Sequence, residues 1–200
     1  IKTILNKLDR LSRCALALQS QASKHLNYQE AFCYDGFESF SYSQYFPNNI
    51  GVLVGADSQF LYSIDYTTLR RKGRMTGAQK RKRSLIEERH KVPKGSLTRT
   101  VRETIADLYQ RLTGQGVKQA DLFSDENVVY KNVLKRLPQK PLSMKHQRVS
   151  SRLSRTHHNP LFPVNYMDRQ IRKDNSDHHR ETVQFAKGPA GMGIEAAVLE

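Results

Sequence analysis

At 200 residues the chain is long enough for one α/β domain with an appendage and a real core. Lysine and arginine number 33 against 19 aspartates and glutamates, a net charge of +14 that speaks for a polyanionic partner, nucleic acid first among them, although a merely basic soluble protein is the plainer reading of charge alone. Cys14 and Cys33 have no zinc-finger spacing and fit a reducing compartment; no apolar run reaches the roughly 20 residues that span a bilayer, and Lys2, Lys7 and Asp9 interrupt any signal-type stretch.

Residues 2–22 carry Ile4, Leu8, Leu11, Ala15 and Leu18 on one stripe, which predicts an amphipathic helix packed on that stripe. Ala31-Phe32-Cys33-Tyr34 reads as a strand ending at Asp35-Gly36, followed by Phe37-Glu38-Ser39-Phe40 and a Tyr-rich loop through Asn49. Gly51–Ala56 is a second, central-type strand. Phe60, Tyr62, Ile64 and Tyr66 alternate with period two and predict a third, with the turn at Asp57-Ser58.

Residues 70–95 hold Arg70, Arg71, Lys72, Arg74, Lys80, Arg81, Lys82 and Arg83 with almost no apolar residues, so they form a loop or an exposed helix and a candidate phosphate-contact surface. A helix follows, capped by Ser96 or Thr98 and buried through Leu97, Val101, Ile105, Leu108 and Leu112. Gly114 and Gly116 end it. Ala120 to Ser124 reads as a strand and Asn127 to Leu137 as a helix, closed by Pro138 and Pro141. Lys145 to Val149 is a possible fifth strand inside a second basic segment with Arg148, Arg152 and Arg155. A helix capped by Asn165 carries Asp168, Arg169, Ile171 and Arg172. The order, three strands, then helix, strand, helix, predicts a mixed α/β sheet.

Three carboxylates stand out against this background. Asp35 and Asp125 fall at strand ends and Asp168 on a late helix. If the first and fourth strands are neighbours, such a trio offers the hard oxygen ligands that two Mg²⁺ ions need for an in-line phosphoryl displacement. Each also has an ordinary reading: Asp35 as a turn residue before Gly36, Asp125 as a helix cap, Asp168 as an i,i+4 partner of Arg172. Glu38, Asp121, Glu126 and Asp174 are the substitutes. The pairs His157-His158 and His178-His179 diverge on any regular element and are poor zinc sites.

The run Asn159-Pro160-Leu161-Phe162-Pro163-Val164-Asn165-Tyr166-Met167-Asp168-Arg169-Gln170-Ile171-Arg172, with Arg180-Glu181-Thr182-Val183-Gln184-Phe185-Ala186-Lys187, resembles the last catalytic block of bacterial insertion-sequence transposases of the DDE class. Leu122-Phe123-Ser124-Asp125 with Tyr130 is similar to their second block, and Tyr34-Asp35-Gly36-Phe37-Glu38-Ser39-Phe40 to the first. The third carboxylate departs from that pattern, being Asp where the family has Glu.

The resemblance implies an RNase H-like catalytic core over residues 30–187 with a basic insertion at 70–95. It makes 1–29 a remnant of a DNA-binding region and the whole a fragment; 188–200, rich in small residues and weakly patterned, reads as a disordered tail. It implies Asp35, Asp125 and Asp168 as catalytic ligands of Mg²⁺ or Mn²⁺. DNA, both element ends and target, would be the partner, bound by the basic residues above with Arg148, Arg152, Arg155, Arg169 and Arg172, in a cytoplasmic homo-oligomer assembled on DNA. Two other readings stay open: a non-catalytic basic nucleic-acid-binding protein, and an RNase H-like nuclease that cuts without joining.

Overall fold

The computed structural model describes residues 2–24, 26, 28–40, 43–89 and 91–174, with side chains from residue 7 onward. The Arg180–Lys187 part of the last block, His178-His179 and the tail after 188 lie outside these residues. The elements are α1 (Lys2–Ser23), β1 (Phe32–Phe40), β2 (Pro47–Gly55), β3 (Leu61–Thr68), α2 (Gly77–Arg89), α3 (Ser96–Gly114), β4 (Gln119–Ser124), α4 (Val128–Leu134), β5 (Ser143–Arg148) and α5 (Phe162–Asp174). One five-stranded sheet has the order β3-β2-β1-β4-β5. The first three strands form an antiparallel meander, and β4 and β5 run parallel to β1 and to each other. This is the mixed, RNase H-like sheet expected from the sequence.

Alternation along β1 divides the interior. Phe32 and Tyr34 face a core with Leu53, Tyr62, Val101, Ile105, Leu108, Leu122 and Tyr130, which α3 and α4 close. Cys33 and Phe37 face a second core with Ile50, Val52, Val54, Val164 and Ile171, which α5 closes. β2 is buried at all nine positions, as a strand covered on both faces must be.

Several expectations are corrected. β1 does not stop at Asp35. It continues to Phe40 because Gly36–Phe40 stay in register with Gly51–Pro47 of β2, and that ladder overrides the turn tendency of Asp-Gly. β2 correspondingly begins at Pro47, inside the expected loop. The first asparagine of β2 finds a partner on β3: Asn48 Oδ1 accepts from the Thr68 hydroxyl at 2.8 Å.

The apolar stripe of α1 is not its buried face. Leu11 and Leu18 are 55% and 68% exposed, whereas Ser12, Gln19 and Ser23 are buried. Gln19 Nε2 donates to the carbonyls of Leu61 and Tyr62 at 3.1 and 2.6 Å, which ties the helix to the outer strand β3 by polar contacts. The helix is therefore rolled away from its hydrophobic stripe.

The basic segment contains an exposed helix, α2, with no buried residue. Thr76 and Gln79 start it as a capping box: the Gln79 amide donates to Thr76 Oγ1 at 3.3 Å and the Thr76 amide to Gln79 Oε1 at 3.0 Å. A bidentate Arg70–Glu87 pair at 2.5 and 2.9 Å fastens it to the body. Neither Ser96 nor Thr98 caps α3. Gly95 does so in the left-handed conformation (φ 72°), and the Ser96 hydroxyl donates to the Thr68 carbonyl at 3.1 Å. α4 is shorter than expected and is capped by Asn127, whose Oδ1 accepts from the Val129 amide at 2.9 Å. α5 starts three residues before Asn165, which lies inside its first turn and donates to the Leu161 carbonyl at 2.8 Å. Asn159 serves the entry instead, accepting from the Leu161 amide at 2.8 Å.

Candidate active site

The cleft arises from a mismatch in strand length. β1 and β4 pair only over Phe32–Tyr34 and Leu122–Ser124. β1 then runs on beside β2, whereas β4 ends and the chain turns into α4. Asp35 and Asp125 are the residues that directly follow the last couple, Tyr34 and Ser124. They sit at the split, the place where open α/β sheets bind ligands. Asp35 has the parity of Cys33 and Phe37, so it lies on the face crossed by α5, which brings Asp168.

Two recesses meet at Asp35. One, of about 640 Å³, is lined by Asp35, Asp168, Asn165, Arg155, Arg169 and Arg172. The other, of about 700 Å³, is lined by Asp35, Asp125, Asn127 and Tyr130 with Arg70, Arg71 and Lys72. Gly36 and Glu38 line both. The three candidate carboxylates are thus arranged around Asp35, with cations on both flanks. Among the described residues, however, no three His, Cys, Asp or Glu side chains stand close enough to form a ready metal-binding group.

Electrostatics distinguishes Asp35 and Asp168 from surface residues. Burial first, then the neighbouring Asp125, pushes Asp35 up to about 6; the Gly36 amide and Arg155 work against this. Burial first, then Asp35, pushes Asp168 up to about 8, in spite of Arg172 and Arg155. Asp168 Oδ1 is buried and accepts no hydrogen bond. The Tyr130 phenol is also raised, by burial and then by Asp35 and Asp125. Such shifts report carboxylates held near one another in a setting that disfavours their charge.

No protein-family model matches the chain, and no curated protein matches it. Among solved structures, a chain of the simian T-cell lymphotropic virus intasome in complex with a PP2A regulatory subunit is similar at 12% identity and a TM-score of 0.36, over 86% of this chain and 48% of that one. The chain thus spans about half the length of that neighbour (48%). The catalytic domain of Mos1 mariner transposase is similar at 9% identity and a TM-score of 0.29, over 96% and 87% of the two chains. Endonuclease V of Ciona intestinalis, in complex with an inosine-containing DNA, is similar at 10% identity and a TM-score of 0.27, over 80% and 66%. Likeness this slight decides nothing about chemistry.

The ordinary readings of the three acids fare unevenly. Asp35 is no turn residue, although its Oδ1 does accept the Gly36 amide at 2.8 Å. Asp125 is not the cap of α4; two residues before the cap, its Oδ1 accepts the Asn127 amide at 2.8 Å. The Arg172 guanidinium lies over the Phe37 ring, 4.7 Å from its centre. Of the substitutes, Glu38 borders both recesses, Asp121 lies at 3.5 Å from the Gln147 amide on the outer side of β4, and Asp174 is exposed at the end of α5.

The basic residues divide into groups. Arg70, Arg71 and Lys72 border one recess and Arg155, Arg169 and Arg172 the other. Arg74, Lys80, Arg81 and Lys82 are exposed on or before α2, and Arg83 turns back to the Arg71 carbonyl at 3.1 Å. Arg148 donates to the Glu126 carbonyl at 3.0 Å, and Arg152 is exposed in the loop after β5.

Sequence reasoning missed the acids that support the sheet. Asp65 on β3 accepts from the hydroxyls of Tyr34 and Thr104 at 2.6 and 2.7 Å, and burial raises its pKa. It stands on the face opposite Asp35 and steadies the same stretch of β1. Glu30 accepts from the Asp57 and Ser58 amides at 3.0 and 2.9 Å and from the Ser58 and Tyr62 hydroxyls at 2.7 Å. Burial alone would raise Glu30, but these bonds hold it below its ordinary value. No local pattern announces either residue, because their partners lie 27 to 39 positions away.

Proposed function

We propose that the chain is the catalytic part of a metal-dependent enzyme of DNA phosphoryl transfer, a transposase of the DDE type. The observation that carries the reading is the position of Asp35 at the strand split, where it borders one recess with Asp125 and another with Asp168, both Asp35 and Asp168 being half-buried and pushed upward, with cations on both flanks. The donor set consists of hard carboxylate oxygens, one of them buried and unbonded, which suits Mg²⁺ or Mn²⁺. Asp35, Asp125 and Asp168 would hold the ion. When bound, it supplies positive charge to the attacking and leaving oxygens of an in-line displacement.

The chain's own side chains have separate tasks in this reading. Arg155 and Arg169 on one flank, and Arg70, Arg71 and Lys72 on the other, bind the phosphates that precede and follow the reacting one. Gly36 leaves its side-chain place to Asn49, whose carboxamide would lie 2.7 Å from a Cβ there. The overhang of β1 keeps Asp35 at the rim, where nucleic acid can approach.

The test is nicking of a labelled DNA end by the full chain with Mg²⁺, beside Asp125→Asn. Nicking by the wild type and a loss of at least about 100-fold in the variant are expected, since the ligand is removed without a change of size. Equal nicking by both would refute the assignment. Salt-sensitive binding without cleavage would favour the non-catalytic reading, and cleavage without strand joining the nuclease reading.

A further inference from the structure

Asp125 is held in place by the neighbouring strand, through residues to which the reading above gives no role. Ser124 ends β4 and is fully buried, at 0% exposure. Its Oγ lies 2.9 Å from the Asp125 carbonyl oxygen and 2.8 Å from His146 Nε2 on β5. A carbonyl oxygen can only accept, so the single hydroxyl proton of Ser124 goes to Asp125. His146 Nε2 must then be the donor to Ser124 Oγ. That places the ring proton on Nε2 and leaves Nδ1 as the other nitrogen of the neutral ring.

The end of β5 and the residue after it grip the same loop at two more points. The Val149 amide donates to the Ser124 carbonyl at 2.9 Å, and Arg148 Nη2 to the Glu126 carbonyl at 3.0 Å. The carbonyls of Ser124, Asp125 and Glu126 are therefore all bound, two directly by Val149 and Arg148 and the middle one through the Ser124–His146 relay. On the other side, Asp125 Oδ1 accepts the Asn127 amide, and Asn127 caps α4. The backbone before and after the carboxylate is fixed from both directions.

We propose that His146, acting through Ser124, is a positioning residue that sets the direction of the Asp125 carboxylate at the cleft. The proposal rests on Asp125 being a ligand, and it deepens that reading by adding the group that orients it, as outer partners orient metal ligands elsewhere. His146 touches no reacting atom.

The experiment uses the full chain and the variants Ser124→Ala, His146→Ala and His146→Gln. Imidazole ¹⁵N spectra of the wild type near neutral pH should have the His146 proton on Nε2, and Ser124→Ala should redistribute it between the two nitrogens. Mn²⁺ affinity of the free protein and kcat for nicking should each fall roughly 10- to 100-fold in Ser124→Ala and His146→Ala. KM for DNA should stay unchanged, because the flanking cations are untouched. His146→Gln, whose amide can donate to Ser124, should recover most of the loss. An Nδ1–H wild-type ring, a Ser124→Ala protein equal to wild type in affinity and kcat, or no recovery in His146→Gln despite a wild-type melting temperature would each overturn the proposal. A wild type that neither binds Mn²⁺ nor nicks would remove the functional reading and this proposal with it. An active wild type with an unaffected Ser124→Ala removes the positioning role alone.

Discussion

Replacing Asp168 by Asn should make the metal-free protein more stable while abolishing its proposed activity. The carboxyl is pushed from an ordinary 3.8 to about 8, chiefly by burial. Between those values the folded state holds the proton more tightly than the unfolded chain, so wild-type stability falls as pH rises through that window. At pH 7 the shift corresponds to about 4 kcal/mol, at 1.36 kcal/mol per pH unit. Relaxation around a side chain near a cleft mouth reduces this, and about 2 kcal/mol is the expected gain for Asp168→Asn. In a chain of this size that is a rise in Tm of roughly 4–8 °C. Thermal melts from pH 4 to pH 9, without divalent ions, provide the assay. The gain should be absent near pH 4, grow towards pH 8 and stay level above it. Adding Mg²⁺ at pH 8 should raise the wild-type Tm more than that of the variant, because only the wild type keeps its ligand. A gain independent of pH, or a Tm at pH 8 lower than wild type, would refute the reasoning.

Alanine at Arg70, Arg71 and Lys72 together should weaken DNA binding about equally for all sequences and lower the slope of log affinity against log salt by roughly 3; filter binding at several salt concentrations measures this, and an unchanged slope would remove that recess from the phosphate track. Gly51→Ala should destabilise by about 1–3 kcal/mol in urea melts, because its Cβ would lie 2.4 Å from both Asp65 Oδ1 and the Tyr34 hydroxyl; wild-type stability would mean that the Asp65 cluster can move aside.

The sheet was legible because its strands advertise themselves. Gly51–Ala56 is continuously apolar, Phe60–Tyr66 alternates, and the α3 stripe from Val101 to Leu112 is buried as its period requires. Legibility failed where a distant partner outweighs local preference. Asp35 and Gly36 look like a turn until β2 supplies their ladder. Leu11 and Leu18 look inward-facing until Gln19 finds the carbonyls of β3 and rolls α1 to a polar contact. Asp35, Asp125 and Asp168 could be chosen from the sequence as strand-end and helix acids. The length mismatch between β1 and β4, which gathers them around Asp35, depends on register and is not written in any one segment. His146 shows the same limit: only the pairing of Leu122 with His146 brings its ring to Ser124.

The ordinary explanation of Asp168 and Arg172 as a stabilising i,i+4 pair makes a prediction of its own. A carboxylate that gains an ion pair has its pKa lowered. Asp168 moves the other way, although Arg172 and Arg155 both favour its charge, so burial outweighs them. Asp35 moves upward too, by burial and by the neighbouring Asp125. Two acids kept close together and against their charge cost stability across the neutral range rather than contribute to it. A fold that needed only packing there would be better served by neutral side chains of the same size. The arrangement makes physical sense if a positive ligand enters the split, because its charge would reverse the sign of both shifts at once.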